Sequence, residues 1–160
     1  MSIRFKKAIP ADAAVISRLR KRIWADVYRG IYPDQAIDGY DGSYHEARDR
    51  ARIEDPACSV YLITEGATPV GYLYFEDRGR VHIGSLYMLR ECRRQGAGRR
   101  AFELVRSYCR ENGYKTFTCS CNAHNAPALA FYEHIGGREI GRDVGHENRQ
   151  EDQVKFEFEV

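Results

Sequence analysis

Arg93-Arg94-Gln95-Gly96-Ala97-Gly98 stands between an apolar run ending at Met88-Leu89 and the helical pattern Ala101, Leu104, Val105, Tyr108. A strand therefore passes to a helix through a turn with two glycines, which adopt backbone conformations closed to other residues and let a ligand approach the main chain. The first N–H groups of the new helix have no partner within it, and its dipole is positive at this end, so the turn favours an anion, phosphate above all. Arg90, Arg93, Arg94, Arg99 and Arg100 crowd the same segment, although the whole chain carries a net charge of only +2. The segment reads as an anion-binding loop for a phosphate-bearing ligand.

Gly-Lys-Ser/Thr is missing, which excludes an ordinary nucleoside-triphosphate loop. Gly96-x-Gly98-x-x-Ala101 meets a loose dinucleotide fingerprint. The next strand candidate, Thr116-Phe117-Thr118-Cys119-Ser120, however, ends without the acid that would hold a ribose hydroxyl, and only about a third of the chain is left for further strand–helix units.

The chain has 160 residues, 43% of them hydrophobic, enough for one globular domain with a sizeable core. The start, Met1-Ser2-Ile3-Arg4-Phe5-Lys6-Lys7, carries charges where a signal peptide needs an apolar core, and no long uncharged run follows; no membrane span and a cytoplasmic location are expected. Cysteines 58, 92, 109, 119 and 121 include no C-x-x-C pair and are expected as reduced, mostly buried thiols. Cys119-x-Cys121 with His124 nearby invites a metal, but the two thiols are expected to diverge and no second ligand pair follows, so no metal is expected.

Residues 2 to 8 alternate as a strand, and Pro10-Ala11-Asp12 opens a helix with the stripe Ile16, Leu19, Ile23, Val27 and a second stripe Arg20, Trp24, Tyr28 beside it. Arg29-Gly30-Ile31-Tyr32-Pro33 breaks that helix, and the polar segment from Asp34 to Asp55 holds a weakly amphipathic stretch, Tyr44 to Ile53, that reads as a short helix. Three antiparallel strands follow, around Val60 to Ile63, Val70 to Phe75 and Val81 to Met88, separated by the turn residues Glu65 to Pro69 and Asp77 to Gly79. The helix from Gly98 to Asn112 stops at Gly113, a strand covers 116 to 120, and Asn125 caps a helix that carries Pro127 in its first turn and ends at Gly136-Gly137. Two last strands fall near 138 to 144 and 153 to 160. The order β-α-α-β-β-β-α-β-α-β-β describes one mixed α/β domain.

Two motifs in this order resemble the GNAT superfamily of acetyl-CoA-dependent N-acetyltransferases, over nearly the whole chain. One is Leu86-Tyr87-Met88 followed by Arg93-x-x-Gly96-x-Gly98, similar to the family's pyrophosphate loop; the other is Asn125-x-x-Ala128-x-x-Phe131-Tyr132-x-x-x-Gly136, similar to its cofactor-side helix. The resemblance implies a mixed, mostly antiparallel sheet of roughly six to seven strands with about four helices. Residues 1–160 would form one N-acetyltransferase domain, an acyltransferase using acetyl-CoA without a metal. Departures from the family pattern are Arg90 in place of proline, adding a phosphate contact, and Gly137 in place of an aromatic plug, expected to loosen the core. Ser120 stands where ribosomal-protein acetylases carry a catalytic glutamate, and His82 where the histone-acetylating branch carries its glutamate base.

By the same resemblance, Arg93, Arg94, Gln95, Gly96, Ala97, Gly98 and Arg99 would hold the phosphates of coenzyme A through backbone N–H groups and guanidiniums. Leu86, Tyr87 and Met88 would take the pantetheine arm as an added strand, the Met88 N–H polarising the thioester carbonyl. Asn125 would bond the arm or order the loop before its helix, and Phe131 would pack beside the cofactor. Attack requires a neutral amine, so a base must act on an ammonium whose solution pKa is about 10. His82 would serve, directly or through water, and Tyr132 would protonate the departing thiolate.

Trp24, Tyr28, Tyr32, Tyr72 and Tyr74 would form an aromatic wall at the acceptor mouth, with Asp26, Asp34, Glu76 and Asp77 drawing in a cationic amine. A small-molecule amine or a peptide N-terminus is the expected acceptor. A nucleic-acid partner is not expected, because the arginines lie in one segment without interleaved aromatics. A CoA-binding regulator without turnover is the alternative, and by family analogy the chain is a monomer or a homodimer.

Overall fold

The glycine-bearing turn does join a strand to a helix. The computed structural model describes residues 2–93 and 95–160. Its elements are β1 (Ile3–Lys7), α1 (Ala13–Val27), α2 (Asp34–Asp38), α3 (Gly42–Glu54), β2 (Cys58–Glu65), β3 (Thr68–Asp77), β4 (Val81–Met88), α4 (Ala97–Glu111), β5 (Thr116–Asn122), α5 (Ala126–His134), β6 (Arg138–Asp143) and β7 (Gln153–Glu159). The strands form one sheet in the order β1-β2-β3-β4-β5-β7-β6, antiparallel at every pairing except β4 with β5. This is the single α/β domain with a mostly antiparallel sheet that the sequence predicts.

Five α-helices stand among the described residues, in line with the expected count of about four. The extra one, α2, is five residues long and buries only Ile37, too little apolar surface to leave a periodic pattern. Helix α3 begins at Gly42, two residues before the expected start, because the Asp41 carboxylate accepts the Tyr44 N–H at 3.0 Å. Its amphipathicity reads as weak because its one fully buried residue is a charge, Asp49. That carboxylate takes both guanidinium nitrogens of Arg20 on α1, at 2.6 and 2.7 Å.

The sheet is covered on both sides. Helix α1, backed by α3, packs Ile16, Leu19 and Ile23 against Val60, Leu62, Tyr72 and Met88. On the opposite face α4 and α5 bury Phe102, Val105 and Tyr132 with Leu73, Phe75, Ile83, Phe117, Phe156 and Phe158. Thr116, Lys155 and Glu159 point to the α1 side of β5 and β7 and are exposed, and β6 is exposed along its whole length.

Two expectations are corrected here. Cys119 and Cys121 do not diverge: both are buried in the α4–α5 core, since residues two apart in a strand share a face. Gly137 does not loosen the core. A Cβ there would come within 2.8 Å of the Phe158 ring and 2.7 Å of the Tyr132 carbonyl oxygen, so Phe158 already fills the space an aromatic at 137 would take.

Candidate active site

Strands β4 and β5 pair over two rungs only, His82 with Thr118 and Ile83 with Cys119. Past them the strands part. The cause lies in β4, which carries one residue more than β3 across this stretch: Phe75 pairs with Ile83 and Tyr74 with Ser85, leaving Gly84 as a bulge. Glycine is required there, since a Cβ would lie 2.3 Å from the Tyr74 ring. The Leu89 N–H donates to the Val70 carbonyl on β3 at 2.9 Å. Backbone direction alternates along a strand, so the N–H groups of Leu86 and Met88 face the other way, into the gap. An extended polyamide would find strand-like partners along that edge.

At the open end of the gap Gly96, at φ 79°, turns the chain into α4, whose first N–H groups lie beside the parted strands. Ala97 is buried, while Gln95 and Arg99 are exposed. Gly98 lets α5 come close: the Phe131 ring rests where a Cβ would be, 2.7 Å from its Cζ. The arginines of this segment divide. Arg93 donates Nε–H to the Met88 carbonyl at 3.2 Å, and Arg90 reaches the Asp26 carbonyl at 3.5 Å. Arg100 turns to β1, donating to the Ile3 carbonyl at 2.5 Å with its guanidinium over the Phe5 ring. Arg94 lies outside the described residues.

Helix α5 is capped by Asn125, whose side-chain oxygen accepts the Ala128 N–H at 3.3 Å. One turn beyond Ala128, Tyr132 is buried among Phe102, Phe131, Phe156 and Phe158. Burial, then the neighbouring Cys119, Cys121 and Tyr87, raise its pKa well above the ordinary value, so the phenol is protonated at neutral pH. Burial likewise pushes the Cys121 thiol up to about 12 and the Cys119 thiol higher still, which keeps both as neutral thiols.

His82 lies at the same vertex on the opposite face of the sheet, half-buried, with Nδ1 2.8 Å from Thr118 Oγ1. Burial and the positive charge of Lys155 lower its pKa, partly offset by Glu76. It is therefore neutral at pH 7 and able to accept a proton. An acid and a base candidate thus flank one opening from opposite sides of the sheet. Thr118 was not singled out by sequence reasoning, because only the β4–β5 register brings the two together.

The expected aromatic wall divides. Tyr72 is 1% exposed, beneath the Arg20 guanidinium, with its hydroxyl unpartnered, and Tyr28 is 2% exposed. Both belong to the core rather than to a solvent-facing mouth. Trp24 and Tyr32 are half-buried; Tyr32 stacks on Tyr28 at 4.0 Å, and the Tyr28 hydroxyl is 2.7 Å from that of Tyr87 on β4. Three of the expected acids are engaged elsewhere: Asp77 accepts from Tyr108 and Tyr114, Asp34 pairs with Arg29, and Glu76 accepts from Tyr74 and Arg78. A cleft of about 570 Å³ opens between Ile31, Tyr32 and Pro33 on one side and Glu147, Asn148, Arg149 and Glu151 on the other. The second wall was not anticipated. Arg149 bridges the walls by donating to the Gly30 carbonyl at 3.2 Å, and Asp152 anchors the same loop by accepting from the His146 N–H at 3.0 Å and bonding His124 at 2.6 Å.

Among the described residues no helix is long and apolar enough to cross a membrane, and no group of three or more His, Cys, Asp or Glu is placed to hold a metal. Residues 22–137 match the family model for the acetyltransferase (GNAT) family. No curated protein sequence matches the chain. Among solved structures, the PaiA N-acetyltransferase of Thermoplasma acidophilum in complex with coenzyme A has a TM-score of 0.81 at 15% identity, covering 100% of both chains. An acetyltransferase from Thermus thermophilus has 0.76 at 18% identity, covering 100% of this chain and 98% of that one. The ribosomal-protein-S18-alanine N-acetyltransferase of Escherichia coli has 0.74 at 15% identity, covering 99% and 94%.

Proposed function

From the premise that this chain belongs to the acetyltransferase (GNAT) family and is an acyltransferase, we propose that it moves an acetyl group from acetyl-CoA to a primary amine by direct attack in a ternary complex. The observation that carries the proposal is the two-rung ladder between β4 and β5, with a gap beyond it and Tyr132 and His82 at its vertex on opposite sheet faces. The N–H groups at the start of α4 and the side chains of Arg93, Arg94, Gln95 and Arg99 would hold the phosphates. Main-chain groups of Leu86 and Met88 would hold the pantetheine amides, with Gly96, Ala97, Gly98 and Phe131 shaping the entrance and Tyr87 backing it.

In this reading the acceptor arrives on the α1 side of the sheet, past Trp24 and Tyr32. His82 removes a proton from its ammonium, leaving the lone pair that attacks the carbonyl carbon. The Met88 N–H faces the oxygen on which charge develops, and Tyr132 protonates the departing thiolate. The raised pKa of Tyr132 keeps its proton in place at neutral pH until the thiolate leaves, and the lowered pKa of His82 keeps its imidazole neutral with a lone pair available. A small-molecule amine or a peptide N-terminus is the acceptor class.

The test is a mass-spectrometric transfer assay with acetyl-CoA and a panel of polyamines, amino acids, aminoglycosides and short peptides. Tyr132→Phe is expected to lower kcat by roughly 100-fold with acetyl-CoA binding retained, in line with the usual contribution of a general acid. Binding of acetyl-CoA without transfer to any acceptor would instead make the protein a CoA-binding regulator.

A further inference from the structure

Strand β6 ends the sheet: β7 lies along one of its edges, and no described strand lies along the other. Its six residues, Arg138-Glu139-Ile140-Gly141-Arg142-Asp143, are all exposed. Unpaired N–H and C=O groups on such an edge are a template for another strand. Of the four large apolar side chains exposed among the described residues, two belong to this edge, Ile140 at 44% and Val144 at 47%.

The sequence of β6 is complementary to itself. Laid antiparallel on a copy of itself about a twofold axis between Ile140 and Gly141, it sets Arg138 opposite Asp143 and Glu139 opposite Arg142. Every charge thus meets its opposite. Ile140 falls opposite Gly141 and Val144 opposite Gly137, so both exposed apolar side chains meet a residue that has none. In a regular strand this register is forbidden, because residues three or five apart point to opposite faces. A bulge lifts the restriction: Glu139 pairs with Phe156 and Gly141 with Lys155 on β7, leaving Ile140 as the extra residue. Glu139 and Arg142, opposite Phe156 and Val154, therefore share the α5 face, and Arg142 Nε–H donates to the Glu139 carboxylate at 2.6 Å. Arg138 and Asp143, opposite Glu157 and Gln153, share the open face.

We propose that β6 pairs with β6 of a second copy of this chain, joining two seven-stranded sheets across a twofold axis. On the α5 face, Glu139 and Arg142 of the two copies form a ring of four charges of alternating sign. On the open face, Arg138 of each copy meets Asp143 of the other. The partners these two have within the chain, Glu157 and His146, lie in surface pairs that can be shared without stranding a buried charge. A twofold contact uses the same edge of both copies, so the assembly stops at two. A six-residue ladder is a small interface, and its dissociation constant is expected at roughly 1–100 μM.

Sedimentation velocity over a concentration series that brackets this range reads the association, and wild type is expected to pass from one chain to two. Arg142→Glu and Glu139→Arg each set like charges opposite one another, and each alone is expected to weaken association on the order of tenfold or more. An equimolar mixture of the two variants restores opposite charges at both positions. Native mass spectrometry is expected to display a mixed pair, associating near the wild-type level. A role for the Glu139–Arg142 contact within one chain cannot produce that recovery, since neither variant regains it. The double variant Glu139→Arg/Arg142→Glu is expected to pair with itself like wild type. A wild type that stays a single chain throughout, a dimer that both substitutions leave unchanged, or a mixture that does not pair overturns the proposal.

Discussion

At Gly98 the missing side chain lets α4 and α5 meet, with the Phe131 ring against the backbone. The glycine is legible in the sequence as part of an anion loop, yet its contact with Phe131, thirty-three positions away, is not. Gly98→Val forces a methyl-bearing carbon into that ring, and overpacking of this kind costs about 1–3 kcal/mol. Urea denaturation is expected to display that loss, and Phe131→Leu in the same chain to recover part of it, since neighbours sharing one space are not additive. Tyr72 and Tyr28 teach the converse: their spacing is that of a wall, but the strand and helix carrying them face each other, so both rings are spent on packing. Tyr132 was legible as a residue of the Asn125-capped helix because its motif fixes the distance from the cap to the hydroxyl-bearing residue, and that distance is local to one helix.

Between elements, the join of α1 to α3 is a charge pair rather than an apolar seam. Arg20 and Asp49 keep side-chain exposures of 7% and 4% and meet through two hydrogen bonds. Removing one partner leaves the other buried and uncompensated, so Asp49→Ala is expected to cost about 3–5 kcal/mol in chemical denaturation. Glu91→Ala, which breaks the exposed pair with Arg22, is expected to leave the unfolding midpoint unchanged. The buried pair explains why α3 was faint in the sequence: a helix docked through a carboxylate lacks the apolar period by which helices are read. The parting of β4 and β5 was equally out of reach of periodicity, because a bulge changes pairing while leaving composition untouched.

For the whole molecule, sheet and helices on both faces converge on one opening, so a ligand seated there binds the folded chain alone. Coenzyme A at a hundredfold excess over its Kd adds roughly 2.7 kcal/mol of stability, which for a domain of this size raises Tm by roughly 5–10 °C. Differential scanning fluorimetry checks this, and an unchanged Tm at saturating coenzyme A would count against the binding site described. By itself the sequence determined the order of strands and helices apart from α2, the glycine turn between β4 and α4, and the capped helix with Tyr132, because each is encoded by spacing within a few turns of chain. Only the tertiary structure decided the gap, the placing of Cys119 and Cys121 beside Tyr132, the cleft between residues 31–33 and 147–151, and the meeting of His82 with Thr118. Those features depend on register and on which elements become neighbours, and both are set by the summed packing of the core rather than by any single stretch of residues.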